Sequence, residues 1–563
     1  MRVSFRSFVG LLVATGFLAA GCSSSASKAA SSDRPAAVST TTTAATTRGA
    51  YTRPACGITA SGQPKATASA TRVPGSTSDY DVVSFDGTRI RVHWFPLHLA
   101  AGATAPTVLK GPGWGQPGDV DTAGSGYGLF GDLGIHALNS AGYNMLTWDP
   151  RGFGKSGGTV ESDSADFEGR DVQRLIDWVG QQPGVQLDGT GDPRMGMVGA
   201  SYGGGIQLVT AAIDCRIDAI VPQIAWHSLS TSLYAAQTVK RGWGDLLYTV
   251  ATGHSVDPHI TSAHNDGDSS GVLSAADRQW FLDRGPGDLV RKITAPTLFE
   301  QGTIDTLFPL GEAVANFRIL RDAGVPTAML WMCSGHGVCL TNPGNQKQPG
   351  QAAVAWLDRY VKGNTKVTLG PRFAYVDQDG VEHTADDFPP PAAAPIVASG
   401  RGTLTLVAGG GSGPAHATGN AGVLGGVALP ITPAKASHAA NVPVTIARAA
   451  NIVGAPRLTL RYSGSSPAGV RPTRVFAQLV DDATGIVLGN QITPIAVVLD
   501  GNEHTTTVPL EMVAFTAAPG AHLTLQLVAT TIAYAEPRLG GTIDFNAVQV
   551  ELPTVTGVTR PTA

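Results

Sequence analysis

The sequence predicts a mainly parallel α/β domain with crossover helices, followed by an all-β sandwich. From Asp81 to about Gly363, apolar runs of strand length alternate with helical patterns, as in a parallel sheet whose strands are joined by helices. From about Gly370, short alternating strands separated by Gly, Pro and Asp follow without a helical period. The length of 563 residues is more than one core normally fills, so at least two domains are expected.

The first part begins with a hairpin and continues with buried strands. The alternating pattern from Asp81 to Trp94 turns at Asp86-Gly87. A helix is predicted over Asp171–Val179, whose apolar residues recur at helical spacing. The predicted strands after the hairpin are Thr107–Lys110, Asn144–Trp148, Arg194–Val198, Ala219–Ala225, Thr297–Gln301 and Thr327–Met332.

In the second part, the strand patterns indicate a sandwich over residues 399–556. Examples are Arg457–Tyr462, Arg474–Val480 and His522–Val528. A linker over 370–398 containing the proline-rich run Pro389–Pro395 is expected to join it to the α/β domain, which is predicted over 51–369.

Residues 1–22 have the pattern of an export signal. Arg2 and Arg6 precede the apolar run Phe8–Ala20, which is shorter than the ~20 residues that a membrane-spanning helix needs. The small residues before Cys22 resemble a bacterial lipobox, in which the cysteine is lipidated and becomes the mature N-terminus. The alternative is a secretory signal cleaved nearby.

The Ser/Thr/Ala-rich tract at 23–50 is expected to be a disordered tether. These features predict an extracytoplasmic protein that is lipid-anchored to the bacterial cell membrane. The formal charge of −4 gives no indication of nucleic-acid binding.

Cysteine usage agrees with export. Four cysteines follow Cys22, an even number for an oxidising compartment. Cys333 and Cys339 are close enough in sequence to bridge a short loop, which leaves Cys56 to pair with Cys215; buried free thiols are the alternative. Because no C-x-x-C spacing or His/Cys cluster is present, neither a metal nor a cofactor is predicted.

A candidate nucleophile lies in the stretch Met197–Gly205. Ser201 stands between an apolar strand pattern and a glycine cluster that opens a helical pattern. A G-x-S-x-G nucleophile elbow requires this context, since the serine occupies a strained strand-to-helix turn. Gly199 and Gly203 are expected because a Cβ there would collide with the neighbouring helix and strand.

A serine nucleophile needs a base and an acid that orients the base. Asp305 follows the predicted strand Thr297–Gln301, at a carboxyl end where loop residues perform chemistry. His336 lies in the loop after the strand Thr327–Met332, the position required of the base. The chain order Ser, Asp, His therefore predicts a catalytic triad.

Acyl transfer also needs two hydrogen-bond donors for the oxyanion. One should be the backbone N–H of Tyr202. The second should come from the loop Lys110–Gly115, where Pro112 has no N–H, so Gly113, Trp114 or a hydroxyl such as that of Tyr127 is expected to donate.

A helical lid is predicted over about 228–293, with helices at Ser228–Val250 and Ser274–Ile293. A lid here would cover the serine. The segment Asn265–Asp268 faintly resembles a calcium loop but lacks the later acidic ligand, and a polar turn is predicted instead. The candidates for lining a substrate pocket, which could alternatively hold the lid together, are Trp226, Leu233, Tyr234, Trp243 and Leu247.

The segment Asp149–Gly157 contains Gly154-Lys155-Ser156, which suggests a phosphate loop. A P-loop needs glycine five residues before Gly154, where this chain has Asp149, so nucleotide binding is rejected. The same string resembles the loop before the nucleophile helix in α/β-hydrolases.

From Asp81 to Pro553 the chain resembles the family that joins X-prolyl dipeptidyl-peptidases to cocaine-esterase-type (CocE/NonD) hydrolases. The resemblance rests on Asp149–Gly157, the G-x-S-Y-x-G motif, the acid and base described above, and the C-terminal strands. It implies an α/β-hydrolase fold with a helical lid, followed by a jelly-roll (galactose-binding-like) domain. It also implies Ser201 as nucleophile, His336 as base and Asp305 as its orienter. Cocaine-esterase-like members use a tyrosine hydroxyl as oxyanion donor where this chain has Trp114.

Together these features predict a membrane-anchored extracytoplasmic serine hydrolase that cleaves an ester or amide through an acyl-enzyme. An X-prolyl dipeptidyl-peptidase-like activity is the alternative, and it would require an acidic anchor for the substrate's free amine. A non-catalytic binding lipoprotein of the cell envelope is the alternative of another class. The expected partners are a small ester or peptide substrate and, through the lipid, the membrane.

Overall fold

A computed structural model describes Tyr51, Arg53, Pro54, Cys56 and residues 68–124, 131–417, 422–467, 473–535 and 538–561. The described residues from Arg53 onward form one compact unit. The predicted leader, Cys22, the tether and Tyr127 lie outside the described residues. None of the helices in the described part is long and apolar enough to cross a membrane.

The first part of the chain builds an eleven-stranded sheet with the order β1-β2-β3-β5-β4-β8-β9-β10-β11-β12-β13. The seven strands from β5 to β12 in this order are parallel, and the outer strands pair antiparallel. A separate small ribbon is formed by β6 and β7. The strands are β1 (Ala70–Arg72), β2 (Asp79–Val83), β3 (Arg89–Phe95), β4 (Thr107–Lys110), β5 (Asn144–Trp148), β6 (Leu187–Gly189), β7 (Asp192–Pro193), β8 (Met195–Ala200), β9 (Ile217–Gln223), β10 (Thr297–Gly302), β11 (Thr327–Met332), β12 (Phe373–Val376) and β13 (Glu382–Ala385).

Helices cover both faces of this sheet. Buried apolar residues of α2, α3 and α8 share one core with one face, and those of α1 and α9 share another core with the opposite face. The described helices are α1 (Ile135–Ser140), α2 (Glu168–Val179), α3 (Tyr202–Ile213), α4 (Leu229–Leu233), α5 (Arg241–Ala251), α6 (Pro258–Ser269), α7 (Ala275–Leu282), α8 (Leu310–Asp322), α9 (Gln348–Tyr360) and α10 (Gly422–Ala428). The result is the α/β-hydrolase fold, with α4 to α7 forming the lid between β9 and β10.

The lid contains more and shorter helices than predicted. The predicted helix Ser228–Val250 is two helices, α4 and α5, separated by a 3₁₀ turn in which Ala236 and Gln237 have positive φ. The predicted polar turn at Asn265–Asp268 is wrong, because these residues belong to α6. Burial of Ile260, Ala263 and Gly267 stabilises α6 despite its polar sequence. Helix α7 is capped at its N-terminus by Ser274, whose Oγ accepts the N–H of Asp277.

The second part is a β-sandwich, as predicted. Two four-stranded antiparallel sheets, β14-β23-β17-β20 and β15-β22-β18-β19, enclose an apolar core, and a three-stranded sheet, β21-β16-β24, lies beside them. The strands are β14 (Ile396–Thr405), β15 (Ala440–Thr445), β16 (Ala450–Gly454), β17 (Arg457–Ser465), β18 (Thr473–Asp481), β19 (Thr493–Val497), β20 (Asp500–Pro509), β21 (Val513–Ala517), β22 (His522–Val528), β23 (Thr542–Leu552) and β24 (Thr554–Val555).

The segment predicted as a linker, 370–398, contains two strands of the first sheet. β12 pairs parallel with β11, and β13 closes the edge antiparallel to β12. Phe373 and Tyr375 are fully buried in the α/β core, so burial of aromatic side chains explains why this short alternating pattern joins the first sheet.

Two disulfides join Cys56 to Cys215 and Cys333 to Cys339. Such bonds persist in oxidising compartments and are rare in the cytosol. They indicate an extracytoplasmic location.

Candidate active site

The nucleophile candidate lies at the turn between β8 and α3. Ser201 has φ 57° and ψ −118°, a backbone conformation that a non-glycine residue rarely adopts. Its neighbours have no room for side chains: a Cβ on Gly203 would lie 2.2 Å from the Gly111 carbonyl oxygen, and one on Gly199 would lie 2.7 Å from the same oxygen. The chain therefore turns sharply from strand to helix and presents the serine hydroxyl above the sheet.

The three predicted triad residues meet at the carboxyl ends of β8, β10 and β11. His336 Nε2 lies 2.8 Å from Ser201 Oγ, and His336 Nδ1 lies 2.8 Å from Asp305 Oδ2. The other carboxylate oxygen of Asp305 accepts the backbone N–H groups of Leu307 (3.0 Å) and Phe308 (2.7 Å). Asp305 is fully buried, so its carboxylate has a fixed direction toward the imidazole.

Two aromatic rings hold the imidazole of His336. Phe308 and Trp243 both pack edge to face against it, with centroid distances of 5.1 and 5.7 Å. Trp243 Nε1 donates to Thr306 Oγ1 at 3.0 Å, which ties the lid helix α5 to the loop of Asp305. Trp243 was predicted to line the pocket, and the structure places it behind the base instead.

Of the predicted oxyanion donors, the N–H of Tyr202 is the first of helix α3 and therefore has no carbonyl partner within the helix. Gly113 and Trp114 lie in the loop after β4, which contacts α3 through Gly111. The indole N–H of Trp114 donates to the carbonyl of Leu247 at 3.0 Å. The indole is thus engaged with the lid, so within the described residues the backbone of this loop is the candidate source of a second donor.

A cavity of about 960 Å³, counted with its open mouth, lies under the lid and reaches Ser201. Of the predicted pocket residues, Trp226, Leu233, Tyr234 and Leu247 line it. Sequence reasoning missed further apolar lining residues, which come from α4, α6, α7 and the Asp305 loop. They include Leu229, Ile260, Phe281, Leu307 and Phe308.

One lysine lines this largely apolar cavity. Lys240 is 3% exposed and its Nζ donates to the carbonyl of Leu307 at 2.9 Å. Burial lowers its pKa, although the carboxylates of Glu511, Asp305 and Glu312 act in the opposite direction. The described lining contains no Asp or Glu.

Behind the nucleophile, a buried carboxyl group fixes Tyr202. The Tyr202 hydroxyl donates to Glu168 Oε1 at 3.3 Å, and Glu168 also accepts the N–H groups of Glu161 (2.7 Å) and Ser164 (2.9 Å). Burial raises the pKa of Glu168 to about 8. In the described residues, no cluster of three or more His, Cys, Asp or Glu side chains could hold a metal ion.

Comparisons with known proteins agree with this architecture. Residues 86–337 match the family model of the X-Pro dipeptidyl-peptidases (S15 family). The fold is similar to that of a CocE/NonD family hydrolase from Staphylococcus aureus, with 13% identity, 85% of this chain and 93% of that chain covered, and a TM-score of 0.60. It is also similar to an α-amino acid ester hydrolase, with 12% identity, 86% and 96% coverage, and a TM-score of 0.57.

Curated relatives match over shorter stretches. An uncharacterized 31.7 kDa protein of Escherichia coli is 33% identical over 91 residues, which are 16% of this chain and 30% of that protein. A polyketide transferase of Penicillium sp is 26% identical over 145 residues, which are 26% of this chain and 43% of that protein. The matched segments thus span less than half of these relatives.

The fold and the family-model match together indicate a serine hydrolase. Residues 86–337 resemble the S15 X-Pro dipeptidyl-peptidases and the fold resembles that of the CocE/NonD hydrolases, which confirms the resemblance identified from the sequence.

Proposed function

We propose that the protein is a carboxylesterase that cleaves esters of apolar acyl groups through an acyl-enzyme formed on Ser201. The observation that carries this proposal is the continuous hydrogen-bonded chain from Ser201 through His336 to Asp305 at the floor of an apolar cavity.

The geometry supports a two-step reaction. His336 Nε2 accepts the hydroxyl proton as Ser201 Oγ attacks the ester carbonyl carbon. The tetrahedral intermediate then expels the alcohol, which takes the proton from the imidazolium. A water molecule next attacks the acyl-enzyme with His336 again accepting a proton, and collapse of this second intermediate returns that proton to Ser201 Oγ and releases the carboxylic acid. Asp305 keeps Nδ1 protonated and stabilises the charged imidazolium between these transfers.

The oxyanion needs two donors in this scheme. We assign one to the N–H of Tyr202 and the other to a backbone N–H of the loop containing Gly113 and Trp114. Each donor contributes about 3 kcal/mol by analogy with measured deletions.

The lining of the cavity favours an ester over an X-prolyl dipeptide. A peptidase of that specificity has to hold the free ammonium group of its substrate, which requires a carboxylate in the pocket. No Asp or Glu occurs in the described lining, and its basic residues, Lys240 and His264, do not supply the negative charge that would hold an ammonium group. Apolar side chains such as those of Leu229, Ile260 and Phe281 suit an acyl chain or ring.

We further propose that the protein acts outside the cytoplasm while a lipid on Cys22 anchors it to the membrane. The lipobox-like sequence before Cys22 and the polar tract at 23–50 support the anchor, and the two disulfides support the compartment.

The test is a parallel activity screen on the purified protein. p-Nitrophenyl esters of increasing acyl length are compared with Xaa-Pro-p-nitroanilides, and a fluorophosphonate probe labels the active serine. We expect labelling of wild type but not of Ser201→Ala, and higher kcat/KM on the esters. Preference for the anilides would establish the peptidase instead, and absence of labelling would leave a non-catalytic binding role.

A further inference from the structure

A loop of the C-terminal sandwich reaches both catalytic loops of the α/β domain. Asn490 Nδ2 donates to the backbone carbonyl of Val338 at 2.9 Å, and Gln491 Nε2 donates to that of Asp305 at 2.7 Å. Val338 lies two positions after His336. Two consecutive residues of the sandwich therefore bind the loop of the acid and the loop of the base at the same time.

The geometry of this loop is specific. Asn490 is 2% exposed and Gln491 is 8% exposed, so water is excluded from both hydrogen bonds. Gly489 and Asn490 both have positive φ, 62° and 55°, which turns the two side chains toward the α/β domain. A Cβ on Gly489 would lie 2.8 Å from the carbonyl oxygen of Thr303, so the backbone itself rests against the turn that leads to Asp305.

We infer that Asn490 and Gln491 are positioning residues for the triad, an inference that rests on the proposed function. Asp305 and His336 come from separate loops, and their 2.8 Å contact depends on the distance between those loops. The sandwich loop contacts both and fixes that distance. Because an amide side chain that loses its carbonyl partner would leave a buried polar group unsatisfied, displacement of either loop is unfavourable.

The inference predicts a loss of turnover rather than of substrate binding. The cavity under the lid is lined by neither residue, so KM should stay within about twofold. A displacement of about 1 Å between catalytic groups can lower the rate by about 10²-fold. We therefore expect kcat to fall by about 10- to 100-fold when either hydrogen bond is removed.

The variants are Gln491→Met, which keeps the side-chain length, and Asn490→Gly, which keeps the left-handed backbone while removing the amide. Gln549→Met on the exposed face of the sandwich is the matched control, since its amide bonds only to the nearby Glu551 side chain. Active serines are titrated with a fluorophosphonate, so kcat is expressed per competent site and unfolded protein does not contribute. The control should retain the wild-type kcat.

A double-mutant cycle separates positioning from general stability. Gln491 acts through Asp305, so Gln491→Met should change kcat by less than about twofold in an Asp305→Ala background. Equal losses in both backgrounds, or wild-type kcat per titrated serine in Gln491→Met and Asn490→Gly, would overturn the inference. Failure of the proposed function is seen separately, since wild type itself would then lack ester hydrolysis.

Discussion

The indole of Trp243 packs edge to face against the imidazole of His336, with 5.7 Å between the ring centroids. Trp243 belongs to the lid helix α5 and His336 to the loop after β11. The lid therefore supports the base directly in addition to covering the cavity.

This contact leads to a prediction for Trp243. Trp243→Leu should lower kcat by about 5-fold, since an aromatic pair contributes about 1 kcal/mol beyond its buried area. Trp243→Phe keeps an edge-to-face ring and should lower kcat by less than about threefold. Thr306→Val is the control for the hydrogen bond from the indole, and steady-state kinetics measure all three. Equal activity of Trp243→Leu and wild type would contradict the assigned role.

The triad predicts strong and non-additive effects of substitution. Ser201→Ala should keep the fold and lose about 10³-fold or more of the turnover, and His336→Ala and Asp305→Asn should each cause a large loss. The Ser201→Ala, His336→Ala double variant should lose little more than either single variant, because the residues act as one unit. Circular dichroism checks the fold, and additive losses would contradict joint action.

Removal of the disulfide in the loop that contains His336 should lower the turnover rate. Cys333 and Cys339 bracket His336 with a sequence separation of 6. Closing so short a ring contributes only about 2 kcal/mol of chain entropy, so Cys333→Ser with Cys339→Ser should affect stability modestly. Turnover should fall more, by up to about 10²-fold, because the imidazole is less confined. Kinetics and thermal unfolding of the same sample compare the two effects, and full activity of the double variant would be the contrary result.

The buried carboxyl group of Glu300 on β10 should make the stability of the fold depend on pH. The carboxyl group is fully buried, accepts a hydrogen bond from Gln223, and burial raises its pKa to about 8. The folded chain therefore holds a proton that the unfolded chain releases above about pH 4.5. The stability that this proton confers is complete below pH 4.5 and is lost as the pH rises through about 8.

Between pH 5.5 and 8.5 the unfolding free energy should decrease less in Glu300→Gln than in wild type. The two decreases should differ by about 1 kcal/mol or more. Urea unfolding at both pH values measures it, with Glu503→Gln as an exposed control in the sandwich. Parallel pH curves for Glu300→Gln and wild type would refute this account of Glu300.

Removal of the proposed lipid anchor should change the location of the protein without changing its activity. Cys22→Ser should release the protein from membranes, because stable anchoring needs the acyl chains that this cysteine would carry. Specific activity on soluble esters should stay unchanged. Membrane fractionation measures the location, and mass spectrometry of the wild type that finds no lipid would contradict the proposal.

Buried apolar runs made the sheet predictable. The strands predicted at Thr107–Lys110, Asn144–Trp148 and Thr327–Met332 have the predicted bounds, because these segments are buried along their whole length. The strand β9 begins two residues earlier than predicted, at Ile217, since its polar Asp218 does not interrupt the pairing with β8. Helix α6 was missed because its stabilisation comes from packing against the neighbouring lid helices α5 and α7, which its polar residues do not indicate.

The site was predictable where motif and chain order determine position, as for Ser201 and its partners. The direction in which a side chain points was not predictable, as Trp243 illustrates. The same sequence pattern is compatible with an aromatic lid residue that faces the cavity and with one that faces the base. Asn490 and Gln491 could not be predicted either. Their partners are 152 and 186 positions away, and their sequence has the composition of an ordinary turn.

The hydrogen bond between Gln491 and Asp305 has a consequence for biosynthesis. A chain is synthesised and exported from its N-terminus, and domains generally fold as units with the N-terminal one first. Ser201, Asp305 and His336 are thus all synthesised well before the sandwich loop that holds the acid and the base. Until the sandwich has folded, the protein has the three reactive groups without the contact that aligns their loops, and full turnover is expected only after the last domain has folded.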